Sequence, residues 1–295
     1  MKGNSCDAKK ALAESITHAL WVKGLISLDE KRTIDAKAGN KLDGTQEQSS
    51  IDVNFDFTSD TPYYWDNFWE NNNGLGGSKS DPDALSKTLQ RYHQIIWSRP
   101  LPNGETMELQ AGAGATYLTW KDFRFGSDSI IASFRYEKYR YMIEQVQQAV
   151  PDYRAFMEEY LHRSYTIGGT IIFPKRPGGI NQSRGCNAKI RDRWDLTLEC
   201  IRRYYNGETS PLYDALCKDK AFFDLFVDFK GYVDFFFLQD CVTSDYKKVV
   251  MWCSNSDLES EPLPQSVDAY LLWIYRALDF VDKRNKRIQE WIDKQ

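Results

Sequence analysis

The carboxy-terminal stretch constrains this chain more than any other. After Ser266, the residues Val267, Leu271, Ile274, Leu278, Val281, Asn285, Ile288 and Ile292 recur at alternating intervals of four and three. That spacing brings each side chain back to one side of an α-helix every two turns. The chain must therefore carry a long terminal helix, roughly 39 Å at about 1.5 Å per residue, with an apolar seam to bury. A second copy could cover the seam as a coiled-coil dimer with Asn285 fixing register, or the rest of the same chain could pack along it. Packing within the chain is favoured. The run "DKRNKR" gives the exposed side of this helix a local basic patch.

A body large enough to receive such a helix is available, because 295 residues at 42% hydrophobic and 14% aromatic supply ample core. The net charge of -4, from 38 basic and 42 acidic side chains, disfavours a protein that holds nucleic acid by bulk charge. Cysteines at 6, 186, 200, 217, 241 and 253 form no CxxC pair and lie far from histidines 18, 93 and 162, so no zinc site is read and the cofactor is left unassigned. The opening "MKGNSCDAKKALAES" lacks the apolar core of a secretory signal, and apolar runs break well before the roughly 18 residues a bilayer span needs. A cytoplasmic protein with reduced cysteines, and no membrane, is expected.

Residues 1–39 read as a helical hairpin: Ala11 to Val22 is helical in pattern, Ser27 and Glu30 stand as a capping box, and Gly39 supplies a stop. The polar run over 40–50 reads as a linker, and 51–295 as the main domain. The hairpin buries little alone, so it packs on the body or on another copy of itself. Within the main domain "IDVNFDF" alternates like a half-buried strand, while Asp81 and Pro82 open a helix whose stripe is Leu85, Leu89, Tyr92 and Ile96. Short strands are expected in "ETMEL", "TYLTW" and "DFRF". Helices follow over Tyr139 to Val150 and from Pro151 to about His162, and "YTIGGTIIFP" is a buried strand. The fold class is α+β: a mixed or antiparallel sheet with packed helices, a small amino-terminal helical hairpin and the long terminal helix.

Chemistry concentrates where that buried strand leaves for its next helix. The loop "PKRPGGINQSRGCN" carries Lys175, Arg176 and Arg184 close to a helix start, where the macrodipole already favours an anion and further cations repel one another. Something negative is needed there, either an internal carboxylate such as Asp192 or a phosphate or nucleotide. In the helix, Ile190, Trp194, Leu198, Ile201 and Tyr205 form the apolar face. Asp192, Asp195, Glu199 and Arg202 form the opposite stripe, flanked by Arg191 and Arg203. Ordinary ion pairs four residues apart, Arg191 with Asp195 and Glu199 with Arg203, explain that stripe by themselves.

Other polar residues are weaker candidates. His93 on its helix is more often a packed residue than a catalyst. Ser127, Asp128 and Ser129 suit a ligand hydroxyl or simply a turn, and Asp224 and Asp228 suit a solvated face. Asp234 sits in an apolar run and needs a partner if it is buried.

The strings "NFDFTSDTP", "DPDALSKTLQRYHQIIWSRPLPNG", "TIGGTIIFP", "INQSRG", "DRWDLTLECIRRYY" and "DFKGYVDFFFLQD", in this order, resemble an uncharacterised bacterial domain-of-unknown-function family, covering about residue 51 to the end. The aromatic insertion at Tyr63 to Gly77, and Trp194 in place of phenylalanine, depart from its pattern. The resemblance implies a domain boundary and transfers no catalytic residue.

Two readings stay open. In the first the protein is an enzyme for a nucleotide-like or other phosphorylated substrate: Arg184, Arg191 and Arg193 hold the anion, Asn181 orients it, and Glu199 or Asp195 is the base or transition-state stabiliser. In the second it is a binding or regulatory module, the same charges form an internal network, and the hairpin or terminal helix meets a partner. The first predicts loop arginines facing a cavity; the second predicts arginines taken up by carboxylates of the chain.

Overall fold

The computed structural model describes residues 51–69, 81–112, 117–130, 140–184, 193–252, 258 and 264–295. The hairpin over 1–39, the linker over 40–50, and Ile190, Arg191 and Asp192 lie outside the described residues. The terminal helix is as the heptad spacing predicts: Ser266 caps it by accepting from the Ala269 amide, and it runs Val267–Ile292. Its buried face is wider than a two-position seam, because Tyr270, Trp273, Ala277, Phe280 and Arg284 are buried beside Ile274, Leu278, Val281, Asn285 and Ile288. A face that broad is a core face, each large apolar side chain contributing about 1.5–3 kcal/mol on burial. The helix packs on its own chain, against the helices Arg140–Ala149 and Tyr153–Ser164 and the turn Ile167–Gly169.

Asn285 belongs to that packing. Its Oδ1 accepts the Gly168 amide at 2.6 Å and its Nδ2 donates to Thr166 Oγ1 at 2.8 Å. The close approach requires glycine: a Cβ on Gly168 would lie 2.4 Å from the Val281 carbonyl oxygen. Beside it, the buried Arg284 is held by backbone oxygens. Nε donates to Phe236 O at 2.9 Å, and Nη1 to Gly168 O at 2.8 Å and Thr170 O at 2.6 Å.

The sheet has four strands in sequential antiparallel order: β1 (Gln110–Ala111), β2 (Leu118–Trp120), β3 (Phe123–Ser129) and β4 (Thr170–Pro174). β3 pairs β4 from Phe125 opposite Pro174 to Ser129 opposite Thr170. β4 is buried along its whole length, as its β-branched composition requires. Of "ETMEL", only Thr106 makes a bridge, to Pro100.

Two expectations are corrected. "IDVNFDF" alternates in burial, with Ile51, Val53 and Phe57 buried, yet it is a run of turns and no strand. Asp52 Oδ1 accepts from the Asn54 amide and Asp56 Oδ1 from the Thr58 amide, and such local side-chain bonds compete with a strand ladder. The helix after Asp81 is split into α1 (Pro82–Leu85) and α2 (Lys87–Trp97), because Ser86 turns extended and caps the second by accepting from the Leu89 amide. Leu85 is consequently exposed, whereas Leu89, Tyr92 and Ile96 are buried.

Candidate functional site

The turn out of β4 carries the cations singled out in the sequence, and the structure divides them into two groups. Lys175 and Arg176 are exposed; Arg184 and Arg193 are buried. Arg184 ends the short helix Ile180–Ser183 and turns back onto β3, where Nη1 meets the Asp128 carboxylate and donates to Ser129 O at 3.1 Å. Its Nε donates to Thr197 Oγ1 at 3.3 Å. Arg193 precedes the helix α3 (Trp194–Tyr205) and forms a two-point pair with Asp195, Nε to Oδ1 at 3.0 Å and Nη2 to Oδ2. Asp195 Oδ2 also accepts the Trp252 amide at 2.9 Å.

Both carboxylates expected to act as bases are thus engaged. Glu199 takes Arg202 Nε and Nη2 at 2.8 and 2.9 Å and Arg203 Nε at 3.0 Å. The pairing of Glu199 with Arg203 follows the expectation, and Asp195 pairs with Arg193. The stripe itself is corrected: every residue of α3 from Trp194 to Ile201 is buried, so Asp195 and Glu199 sit in protein and not on a wet face. Asp234, the acid to watch, is only partly buried and is paired with Lys230, accepting also from Tyr246 OH at 2.7 Å and Gln239 Nε2 at 3.1 Å.

A different polar cluster forms on β3, and the sequence shows its members only singly. Asp81 caps α1 by accepting from the Asp83 amide, which turns Asp83 toward the strand, where Ser127 Oγ donates to Asp83 Oδ1. Asp83 keeps some surface, but its carboxyl sits in a dense shell of protein atoms. Burial, then the charges of Asp81 and Asp128, push its pKa well above the usual carboxylate value, against the opposing pull of Ser127 and Arg184. The Tyr117 phenol is buried near Ser127 and Asp83. Tyr117 OH lies 3.2 Å from His93 Nδ1, and His93 Nε2 lies 3.0 Å from Thr170 Oγ1. Thr170 Oγ1 has Ile167 O as acceptor at 3.3 Å, so these contacts assign the imidazole proton to Nε2 and leave Nδ1 to accept from the phenol. Burial, then Arg284, holds His93 well below its usual pKa, so it is neutral.

Asn181, expected to orient a substrate, lies over β3: its Nδ2 is 3.7 Å from where a Cβ on Gly126 would stand, and the Lys175 side chain is equally close on the same residue. Lys175 also lines a basic hollow of about 460 Å³ with Lys121, Arg124, Arg176 and the ring of Phe222. Arg176 in that hollow donates to Lys218 O and lies 3.9 Å from Asp219. Arg124 and Lys175 have no ion-pair partner among the described residues. Among the described residues no group of three or more His, Cys, Asp and Glu is disposed to hold a metal ion, and no helix is long and apolar enough to cross a membrane.

The model of a family of unknown function, DUF6994, matches residues 51–288, so the chain belongs to that family. Neither the curated proteins nor the solved structures gave a match.

Proposed function

We propose that this member of the family is an acid–base enzyme for a phosphorylated, hydroxyl-bearing small molecule, with Asp83 as the proton donor. The observation that carries the reading is the contrast between two neighbouring carboxyl groups. Asp83 is pushed toward its neutral form by burial and by Asp81 and Asp128, whereas Asp128 faces the guanidinium of Arg184. Carboxyl groups whose surroundings separate their protonation states are the usual arrangement of a general acid beside a fixed negative charge. Ser127 holds the Asp83 oxygen and offers a hydroxyl for substrate. Lys175 and Arg124, in the basic hollow, would take the phosphate, and Asn181, which lies over Gly126 beside Lys175, would orient it. Arg184 serves the site by fixing Asp128, and Arg193, Asp195 and Glu199 serve it by fixing the helix behind.

The paired state of Arg193, Asp195, Glu199, Arg202 and Arg203 favours a second reading for the helix stripe alone, that of an internal ion network. The two readings part at Asp83. A carbon-detected NMR titration of the side-chain carboxyl groups should show one resonance, lost in Asp83→Asn, that titrates well above the usual carboxylate range. Titration of that resonance at or below about 3.9 would falsify the enzyme reading. In a thermal-shift screen of phosphorylated metabolites, stabilisation should persist in Asp83→Asn and vanish when Lys175 and Arg124 are both changed to alanine.

A further inference from the structure

Arg99 lies outside everything described above, and among the described arginines it is the one caged by four aromatic rings. It follows α2 and is enclosed by four aromatic rings. Its guanidinium carbon is 4.2 Å from the centre of the Phe237 ring, 4.5 Å from Phe235, 5.2 Å from Trp291 and 5.4 Å from Trp97. Ring faces attract the cation, but they supply no hydrogen-bond acceptor in the guanidinium plane. Nε and Nη2 are buried without a hydrogen-bond partner, and no ion-pair partner stands among the described residues. Nη1 is neither bonded nor enclosed, so it is the nitrogen that reaches the cleft lined by Arg99. Burial, then the charge of Arg284, lowers the Arg99 pKa to about 9.

That cleft has a volume of about 910 Å³ and a mixed wall, in which Pro100, Leu101, Pro102, Phe226, Val227 and Trp291 form an apolar side and Asp228, Lys230 and Asp234 stand on the polar one. Its two lining side-chain carboxylates are engaged elsewhere. Asp228 caps the helix Phe229–Phe235 by accepting the Gly231 amide at 2.7 Å, and Asp234 is held by Lys230, Gln239 and Tyr246. The backbone at the rim is strained. Val227, a β-branched residue, sits at φ 67 and ψ -55 in a three-residue turn closed by Asp228 N to Phe226 O at 2.8 Å, with its side chain 64% exposed. Phe237, one of the caging rings, has φ 54. Such conformations gather at ligand sites, where the surrounding structure holds them.

We propose that this cleft binds the carboxylate of a small molecule with an apolar body, the carboxylate on Arg99 Nη1 and the body against Val227, the prolines and Trp291. A monoanion fits better than a phosphate dianion, because one guanidinium nitrogen is offered and Asp228 and Asp234 stand nearby.

Isothermal titration of the full chain with phenylacetate, benzyl alcohol and phenyl phosphate tests the assignment. Phenylacetate should bind saturably and shift the Trp291 indole N–H resonance, with affinity about tenfold to a hundredfold above benzyl alcohol. Arg99→Met should remove that preference for the acid, and Arg99→Lys, which keeps the charge in the cage but withdraws the planar fork, should reduce it. The assignment is overturned if phenylacetate binds no better than the alcohol, if its affinity is unchanged in Arg99→Met, or if phenyl phosphate binds more tightly. Should both variants fail to fold, the comparison of acid with alcohol on the unaltered chain decides.

Discussion

Arg184 and Arg284 are both buried guanidinium groups, and the protein replaces their water in opposite ways. Arg184 meets a carboxylate, Asp128, that keeps about a fifth of its side chain exposed, and it borrows a hydroxyl from Thr197. Arg284 meets backbone oxygens of Phe236, Gly168 and Thr170 and stands 5.6 Å over the Trp97 ring. A carboxylate partner leaves a mark in the sequence, since opposite charges recur near one another. Carbonyl partners leave none, because every residue has one. The difference therefore separates a network that can be rewired by side-chain substitution from a keystone that cannot.

The keystone should give the larger response. Arg284→Met keeps much of the side-chain volume but strands at least two buried carbonyl oxygens, at a cost of about 1–3 kcal/mol each. A total loss on the order of 4 kcal/mol is expected, measured as a fall in the urea midpoint with an unchanged slope. A loss below about 1 kcal/mol would mean that the turn Ile167–Gly169 stays anchored without it.

At the other region, Asp128→Asn removes the charge beside Arg184 but leaves an amide that still accepts. Breaking a fully buried pair costs about 3–5 kcal/mol, and the partial exposure of Asp128 discounts this to roughly 2 kcal/mol. The same substitution withdraws one of the charges that raise the Asp83 pKa, so the Asp83 resonance should move toward the ordinary carboxylate value. A stability loss without that movement would uncouple the ion pair from the proposed acid.

These two regions also show what a sequence reveals. The terminal helix was legible from its apolar period, because that spacing is local; its cap at Ser266 came from the structure. The Asn285 position was visible as a polar break in an apolar seam, but its partners, Gly168 and Thr166, lie more than a hundred residues away. "IDVNFDF" misleads because burial alternates there while Asp52 and Asp56 bind their own backbone, and alternation of residue type cannot tell those cases apart. The charged helix after Pro174 was visible as a cluster; that Asp195 and Glu199 are buried was not, since the apolar face of α3 already accounts for its packing. Ser127, Asp128 and His93 each stood out weakly. What joins them is the pairing of β3 with β4 and the turn at Asp81, and neither leaves a local spacing to read.

His93 stands between the two regions and supplies the smallest and sharpest test of whether they act together. Its Nε2 side reaches Thr170, whose carbonyl belongs to the Arg284 cradle, and its Nδ1 side reaches Tyr117, which is buried near Ser127 and Asp83. Because burial and the Arg284 charge hold the folded-state pKa well below the usual 6.5, the unfolded chain binds a proton that the folded chain refuses as the medium is acidified. The stabilisation from a neutral His93 is therefore complete above about pH 6.5 and declines as pH falls below it, by at most about 1.4 kcal/mol per pH unit. In His93→Gln that decline should disappear, leaving a flatter profile between about pH 6.5 and 5, read from urea midpoints. If the variant keeps the slope of the unaltered chain, the acid sensitivity belongs to groups other than His93, and not to Asp83, whose raised pKa adds stability as the pH falls, so His93 does not couple the two buried arginine regions.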